Sequence, residues 1–170
     1  QVRLPLSFYK LPDSIEFAGE KVPLDNWDIK ERLELEFLLT LGNETQVLLY
    51  MKRSTRYFPL IEKILRDNRM PDDLKYVAVV ESALKPTITS FAGATGPWQF
   101  ITATGRRYKL EKYSWLDERR NIEKASYAAV RYLSDLYRMF GNWPLALAAY
   151  NAGENRVSRE LQEQGVNNYF

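Results

Sequence analysis

The sequence predicts an all-α domain, and three observations carry that reading. Apolar residues recur at helical spacing along 74–84 and again along 122–140; residues that start and stop helices flank these stretches; and no repeat, low-complexity tract or linker interrupts the series. With 170 residues and 45% hydrophobic content, the chain is long enough for one well-buried core and short for two.

The elements follow in order. Residues 1–25, with Pro5, Pro12, Gly19 and Pro23, read as an irregular arm. Asn26 is a suitable N-cap for a helix over about 27–41 that Gly42 ends. A second helical stretch covers 44–56. Pro59, which has no N–H to give the helix ladder, then opens or kinks a helix reaching Asn68. Pro71, Asp72 and Asp73 start the next helix with acids suited to its positive end. Gly93 and Gly96 mark a turn-rich segment, after which Pro97 suits the first turn of a helix carrying Trp98, Gln99 and Phe100. Between 121 and 140, Ile122, Ala125, Ala129, Tyr132, Leu133, Leu136, Tyr137 and Phe140 fall on one stripe that Gly141 stops. Pro144 begins the last predicted helix, which carries LALAAYNAG. Residues 1–50 are expected to be an arm and a helix packing on the core, and 51–170 the functional domain.

Glu81 is the residue that does not fit its surroundings. The stripe Leu74, Val77, Ala78, Glu81, Leu84 turns one helix face towards a core, so a carboxyl points inward among apolar side chains. Burying an ionised carboxylate is costly, and such a group pairs with a cation or raises its pKa and keeps a proton. A carboxyl still protonated near neutral pH is a ready general acid. The plain alternative places Glu81 at the helix edge, neutralised by an arginine.

Composition excludes several other chemistries. The absence of histidine removes Ser-His-Asp and Cys-His schemes and histidine metal sites, and the absence of cysteine removes disulfides and thiolate chemistry. No cofactor and no metal is expected. The net charge is +2, with basic and acidic residues interleaved, which argues against nucleic acid as a partner. No apolar run approaches the ~20 residues of a membrane span, and QVRLPLSFYK lacks the hydrophobic region of a signal peptide. Four tryptophans and eleven tyrosines are generous; most are expected in the core, with some free to stack on flat ligands. Asp117, Glu118, Arg119 and Arg120 read as a solvated helix entry, and Tyr57, Phe58 and Trp115 as packing residues.

Two segments together resemble a known family. ESALKPTITSFAGATGPWQF, beginning at Glu81, is similar to the first motif of the lytic transglycosylase domain, and AAYNAGENRV at 148–157 is similar to its second. The resemblance covers Tyr57 to Val157 and is nearest to the membrane-bound D-type branch, in which tryptophan also precedes the glutamine and TGRRY follows. It implies a lysozyme-like, all-α catalytic domain. Position by position it implies Glu81 as the catalytic acid/base, with Ser82 next to it in the motif and Ser90 near the carboxyl. Gln99 matches a glycan-contacting glutamine; Tyr150 and Asn151 match the pair that orients the acid and lines the cleft. Gly96 and Phe100 complete the expected substrate-binding set. Pro97, Trp98 and Ala125 depart from residues common in the family, which bears on the cleft wall.

The resemblance also implies a reaction. Most glycosidases place two carboxylates about the scissile bond. Here the motif holds one, and the family's substrate supplies its own nucleophile. Glutamic acid protonates the oxygen between N-acetylmuramic acid and N-acetylglucosamine, then as carboxylate removes the proton of the muramic 6-hydroxyl, which closes a 1,6-anhydro ring. The partner implied is the peptidoglycan glycan strand, met by a monomer in the bacterial envelope, periplasmic or outer-membrane-anchored, with any export signal or lipid anchor upstream. Two other classes stay open: a hydrolase of the goose-type lysozyme kind, using a water and Asp117 or Glu118, and a non-catalytic peptidoglycan-binding domain.

Overall fold

Residues 10–170 are described by a computed structural model of the chain, so the first nine residues of the expected arm, Pro5 among them, lie outside the described residues. The rest of the arm is not wholly irregular. Glu16–Phe17 (β1) and Glu20–Lys21 (β2) pair antiparallel, Glu16 opposite Lys21, across a turn in which Ala18 and Gly19 both have positive φ. That is the backbone a two-residue hairpin needs, and alanine in its first position hides the signal that asparagine or glycine gives. Two hydrogen bonds pin the hairpin to distant helix starts. Ala18 N–H donates to Asp73 Oδ2 at 2.8 Å, and Trp143 N–H to Glu20 Oε1 at 2.8 Å.

Asn26 caps α1 (Trp27–Gly42) as expected, its side chain accepting from the N–H groups of Asp28 and Ile29. Asn43 caps α2 (Glu44–Asp67) through Gln46 N–H. This helix runs unbroken through Pro59, where two helical stretches were expected. The missing proline N–H costs one ladder bond, but the C-terminal half of α2 buries Ile61, Ile64 and Leu65, and that packing carries the helix on. The expected division at residue 50 therefore falls inside a helix. α1 buries no residue, and Trp27, Leu35, Leu39, Leu48 and Met51 stay exposed, so α1 and the first half of α2 rest against each other outside the core.

The core lies where α2, α3 (Lys75–Ser82), α5 (Ile122–Phe140) and α6 (Trp143–Ala152) meet. Small residues of both helices, Ala125 and Ala129 of α5 and Ala146 and Ala149 of α6, are completely buried in the core where α5 and α6 pack. The stop at Gly141 is as read: it caps α5 in the left-handed region, and Asn142 then caps α6 through Leu145 N–H at 2.9 Å. α4 (Thr102–Arg107) is short, and α7 (Glu154–Gln164) follows Gly153.

The helix expected to start at Pro97 does not form. Gln99 has φ of 49°, which breaks any right-handed helix, and Thr95 N–H donates to the Phe100 carbonyl at 3.0 Å across a tight turn. Trp98 is wholly buried, with its indole N–H donating to Ser126 Oγ at 2.9 Å.

Candidate active site

Helix α3 ends one residue after Glu81. Ala83 and Leu84, neither of them glycine, sit at φ of 53° and 56°, a left-handed pair that reverses the chain. Leu84 is driven there because its side chain is fully buried, and Arg53 on α2 donates to the Ala83 carbonyl at 3.0 Å. Glu81 is left half-buried. Among the described residues no hydrogen bond or ion pair holds its carboxyl, and burial raises its pKa above the ordinary glutamate value.

The glycine-bearing loop is held from beneath by Arg119. This residue is 3% exposed, and its guanidinium donates to the Gly93 carbonyl at 3.0 Å, to the Phe100 carbonyl at 2.9 Å, and through Nε and Nη2 to Asp117 at 2.9 and 2.7 Å. Gly96 passes so close that a Cβ built there would stand 1.8 Å from the Arg119 carbonyl oxygen, at a φ of 86°. The solvated entry expected at 117–120 is thus an interior clamp. Sequence periodicity cannot show it, because the partners are main-chain carbonyls 19 and 26 positions away. Asp117 has its pKa lowered by Arg119, and Glu118 by Lys124 and then the Glu111 N–H, so neither acid is free for chemistry.

A cleft of about 560 Å³ opens over Glu81. Ser90, Gln99, Phe100, Tyr150 and Asn151 line it together with Tyr132 and Glu154. The Gln99 amide donates to the Gly96 carbonyl at 2.8 Å, which fixes its plane at the rim. Ser90 Oγ accepts from Ala94 N–H. The rings of Tyr132 and Tyr150 stand 5.2 Å apart, with Phe100 6.3 and 6.4 Å from each, and build an aromatic wall. Burial, then the charge of Glu81, holds the Tyr150 hydroxyl well above its usual pKa.

Of the eight residues expected at the site, six line this cleft and two stand behind it. Ser82 is buried, its hydroxyl 2.8 Å from the Pro97 carbonyl and 3.0 Å from that of Ala78, so it ties the Glu81 helix to the loop instead of facing a ligand. Gly96 is buried against Arg119. Tyr150 does not bond Glu81: its hydroxyl donates to the Trp98 carbonyl at 2.6 Å. Trp115, expected to pack, is 80% exposed and stacks only on Tyr113, at 5.6 Å.

Tyr132 and Glu154 line the cleft without having been among the expected site residues. Tyr132 was read as core. Glu154 brings a second carboxyl into the cleft; it accepts from Arg107 at 2.8 Å and from the Tyr132 hydroxyl at 3.2 Å. Its pKa is lowered by its own backbone N–H, then by Arg107 and Tyr132, whereas that of Glu81 is raised by burial, so Glu154 gives up its proton more readily than Glu81. Its place three residues beyond Asn151 in the second motif was the available signal.

Comparison with known proteins bears on the same residues. The family model described as the Transglycosylase SLT domain matches residues 58–169. The membrane-bound lytic murein transglycosylase D of Escherichia coli K12 is 39% identical over 111 residues, 65% of this chain and 25% of that protein. The chain thus spans about a quarter of that relative. Among solved structures, the 70-kDa soluble lytic transglycosylase of Escherichia coli matches with a TM-score of 0.54 and 28% identity over 62% of this chain and 18% of the other. The 70-kDa soluble lytic transglycosylase in complex with bulgecin A matches with a TM-score of 0.59 and 26% identity over 72% and 21%.

Proposed function

The chain belongs to the transglycosylase SLT domain family, and from that premise we propose that it cleaves peptidoglycan glycan strands between N-acetylmuramic acid and N-acetylglucosamine, leaving 1,6-anhydro ends. Glu81 is the general acid and then the general base. Its half-buried carboxyl, unpaired over the cleft and with a raised pKa, is the observation that carries the reading. A group in that state can deliver a proton to the glycosidic oxygen, and once ionised it can take the proton of the muramic 6-hydroxyl. The attack is intramolecular, so positioning replaces a second nucleophile. Gln99, Ser90 and Asn151 hold hydroxyl and acetamido groups of the strand, and the Phe100, Tyr132 and Tyr150 wall takes the apolar faces of the sugars.

Residues 51–170 form the catalytic domain in this reading, with 1–50 as its N-terminal addition. The relative named as membrane-bound favours the cell envelope as the place of action. No described helix is long and apolar enough to cross a membrane.

Glu154 keeps one alternative in play. Being ionised and in the same cleft, it could hold a water against the sugar and make the enzyme a hydrolase, the role expected of Asp117 or Glu118, neither of which lines the cleft. Mass spectrometry of purified sacculi after digestion separates the two: anhydro ends support the transglycosylase, while reducing ends would show that water attacks.

A further inference from the structure

A pocket of about 370 Å³ lies between the end of α4 and one face of α5, and cations dominate its lining. Arg107 and Lys109 come from the end of α4 and the turn after it; Arg131 and Arg138 come from α5, two turns apart on the same face. Asp135 is the single carboxylate of the lining, and both its oxygens are taken, one by the Tyr108 hydroxyl at 2.9 Å and one by Arg138. Four cations against one carboxylate give the lining a formal charge of +3, more than the +2 of the whole chain, so the rest of the molecule carries no net positive charge. The arginines keep donors to spare. Arg107 spends Nη1 on Glu154, Arg131 spends Nη2 on the Tyr108 carbonyl at 3.0 Å, and Arg138 spends Nη2 on Asp135, while a guanidinium has five N–H groups. The Lys109 ammonium has no hydrogen bond, ion pair or ring contact among the described residues. Lys109 also stands at φ of 64°, the left-handed conformation that glycine adopts at least cost, and it is exposed, so burial does not compensate it as it does at Leu84.

We propose that this pocket binds a doubly charged phosphate group, a phosphomonoester or a pyrophosphate, between the Arg107, Arg131 and Arg138 guanidiniums and the Lys109 ammonium. Guanidinium forks match phosphate oxygens in pairs, and cations supplied by two separate elements reach such a group from different sides, which a charge run along one helix does not. A double charge offsets the mutual repulsion of the lining better than a single carboxylate does. Met70 and Val130 add apolar surface to the same pocket, where the organic part of such a ligand would rest. The helix dipole accounts for Arg107 and Arg138 at the ends of their helices, but not for Arg131 in the middle of α5. The site does not depend on what the cleft cleaves, although Arg107 joins the two by lining this pocket and pairing with Glu154.

Two measurements test this on the chain: calorimetric titration with inorganic pyrophosphate at low ionic strength, and co-sedimentation with phosphatidylcholine vesicles with and without phosphatidic acid, whose headgroup is a phosphomonoester. Saturable binding of one pyrophosphate per chain is expected. Lys109→Glu should weaken it by about tenfold, and Arg138→Gln, which alters an exposed side chain, in the same direction. Lys30→Glu makes the same change of net charge on the exposed side of α1 and should leave the affinity within about twofold. Sedimentation that requires phosphatidic acid and is lost in Lys109→Glu places the phosphate on a lipid, whereas pyrophosphate binding without sedimentation places it on a soluble ligand. Absence of both overturns the proposal, as does binding that Lys109→Glu and Arg138→Gln leave unchanged. Binding that Lys30→Glu weakens as much as Lys109→Glu also overturns it, since the attraction then belongs to the charge of the whole chain.

Discussion

A glutamic acid on the inward face of a short helix has to be explained by what surrounds it, and here the surroundings withhold partners. Glu81→Gln keeps the shape and removes the proton, so cleavage of sacculi should fall by on the order of 100- to 10,000-fold, the usual worth of a positioned acid/base, and more if both steps depend on it. A Glu81→Gln protein releasing muropeptides at the wild-type rate would end the single-acid reading. The raised pKa fixes the sign of two pH effects. Turnover should decline as alkali removes the Glu81 proton. For stability, folded and unfolded forms both carry the proton in acid; as the pH rises through the ordinary glutamate value the unfolded chain ionises first, and the folded state loses stability until its own, higher pKa is passed. The Gln variant should therefore melt higher than wild type at neutral pH and match it in acid. Tyr150 is a different case. Its hydroxyl satisfies the Trp98 carbonyl, and Tyr150→Phe strands that acceptor at a cost of ~1–3 kcal/mol. The residue after Trp98 is Gln99, so a shift of this turn should also lower turnover, by up to ~100-fold. Calorimetric melting and initial rates on one preparation check both, and a Phe variant normal in each would make the hydroxyl irrelevant.

Among the elements, the loop from Gly93 to Phe100 depends most on something outside itself. Arg119 satisfies two of its carbonyls and is neutralised by Asp117. Arg119→Met should cost ~3–5 kcal/mol in urea unfolding, because the Asp117 carboxylate loses its cation while the Gly93 and Phe100 carbonyls each lose one of two donors. Gly96→Ala attacks the same contact from the other side, since its Cβ would collide with main chain and not with a yielding side-chain end. That variant should be destabilised comparably; a Gly96→Ala protein as stable as wild type would mean that the two segments are not packed as described. The lowered pKa of Asp117 has the opposite sign to that of Glu81. The stability it contributes is present above the ordinary aspartate value and lost as the pH falls through its depressed folded pKa, so acid should release the loop early.

Over the whole molecule, burial is uneven, and stability should follow it. α5 buries eight residues, whereas α1 buries none. Amide hydrogen exchange at neutral pH should therefore proceed first through α1 and the exposed start of α2, and last through α5. Uniform protection across the two regions would contradict this distribution. The uneven burial also separates what could be read in the chain from what could not. Asn26, Gly42, Gly141 and Pro144 act within a turn of where they stand, so the helix ends they mark were legible. Glu81 was legible because a lone carboxyl on an apolar stripe conflicts with its neighbours in sequence, and the two motifs named its companions Gln99, Tyr150 and Asn151. Pro59 misled, because the packing of Ile61, Ile64 and Leu65 outweighs one absent hydrogen bond. Arg119 and Glu154 were not legible: their roles depend on Gly93, Phe100, Arg107 and Tyr132, which reach them only after the chain has folded back. Periodicity and capping act over a few residues, so the sequence by itself determined several helix ends and pointed to Glu81. The cleft, its second carboxylate and the clamp beneath it come from contacts between distant segments, and only the tertiary structure decided those.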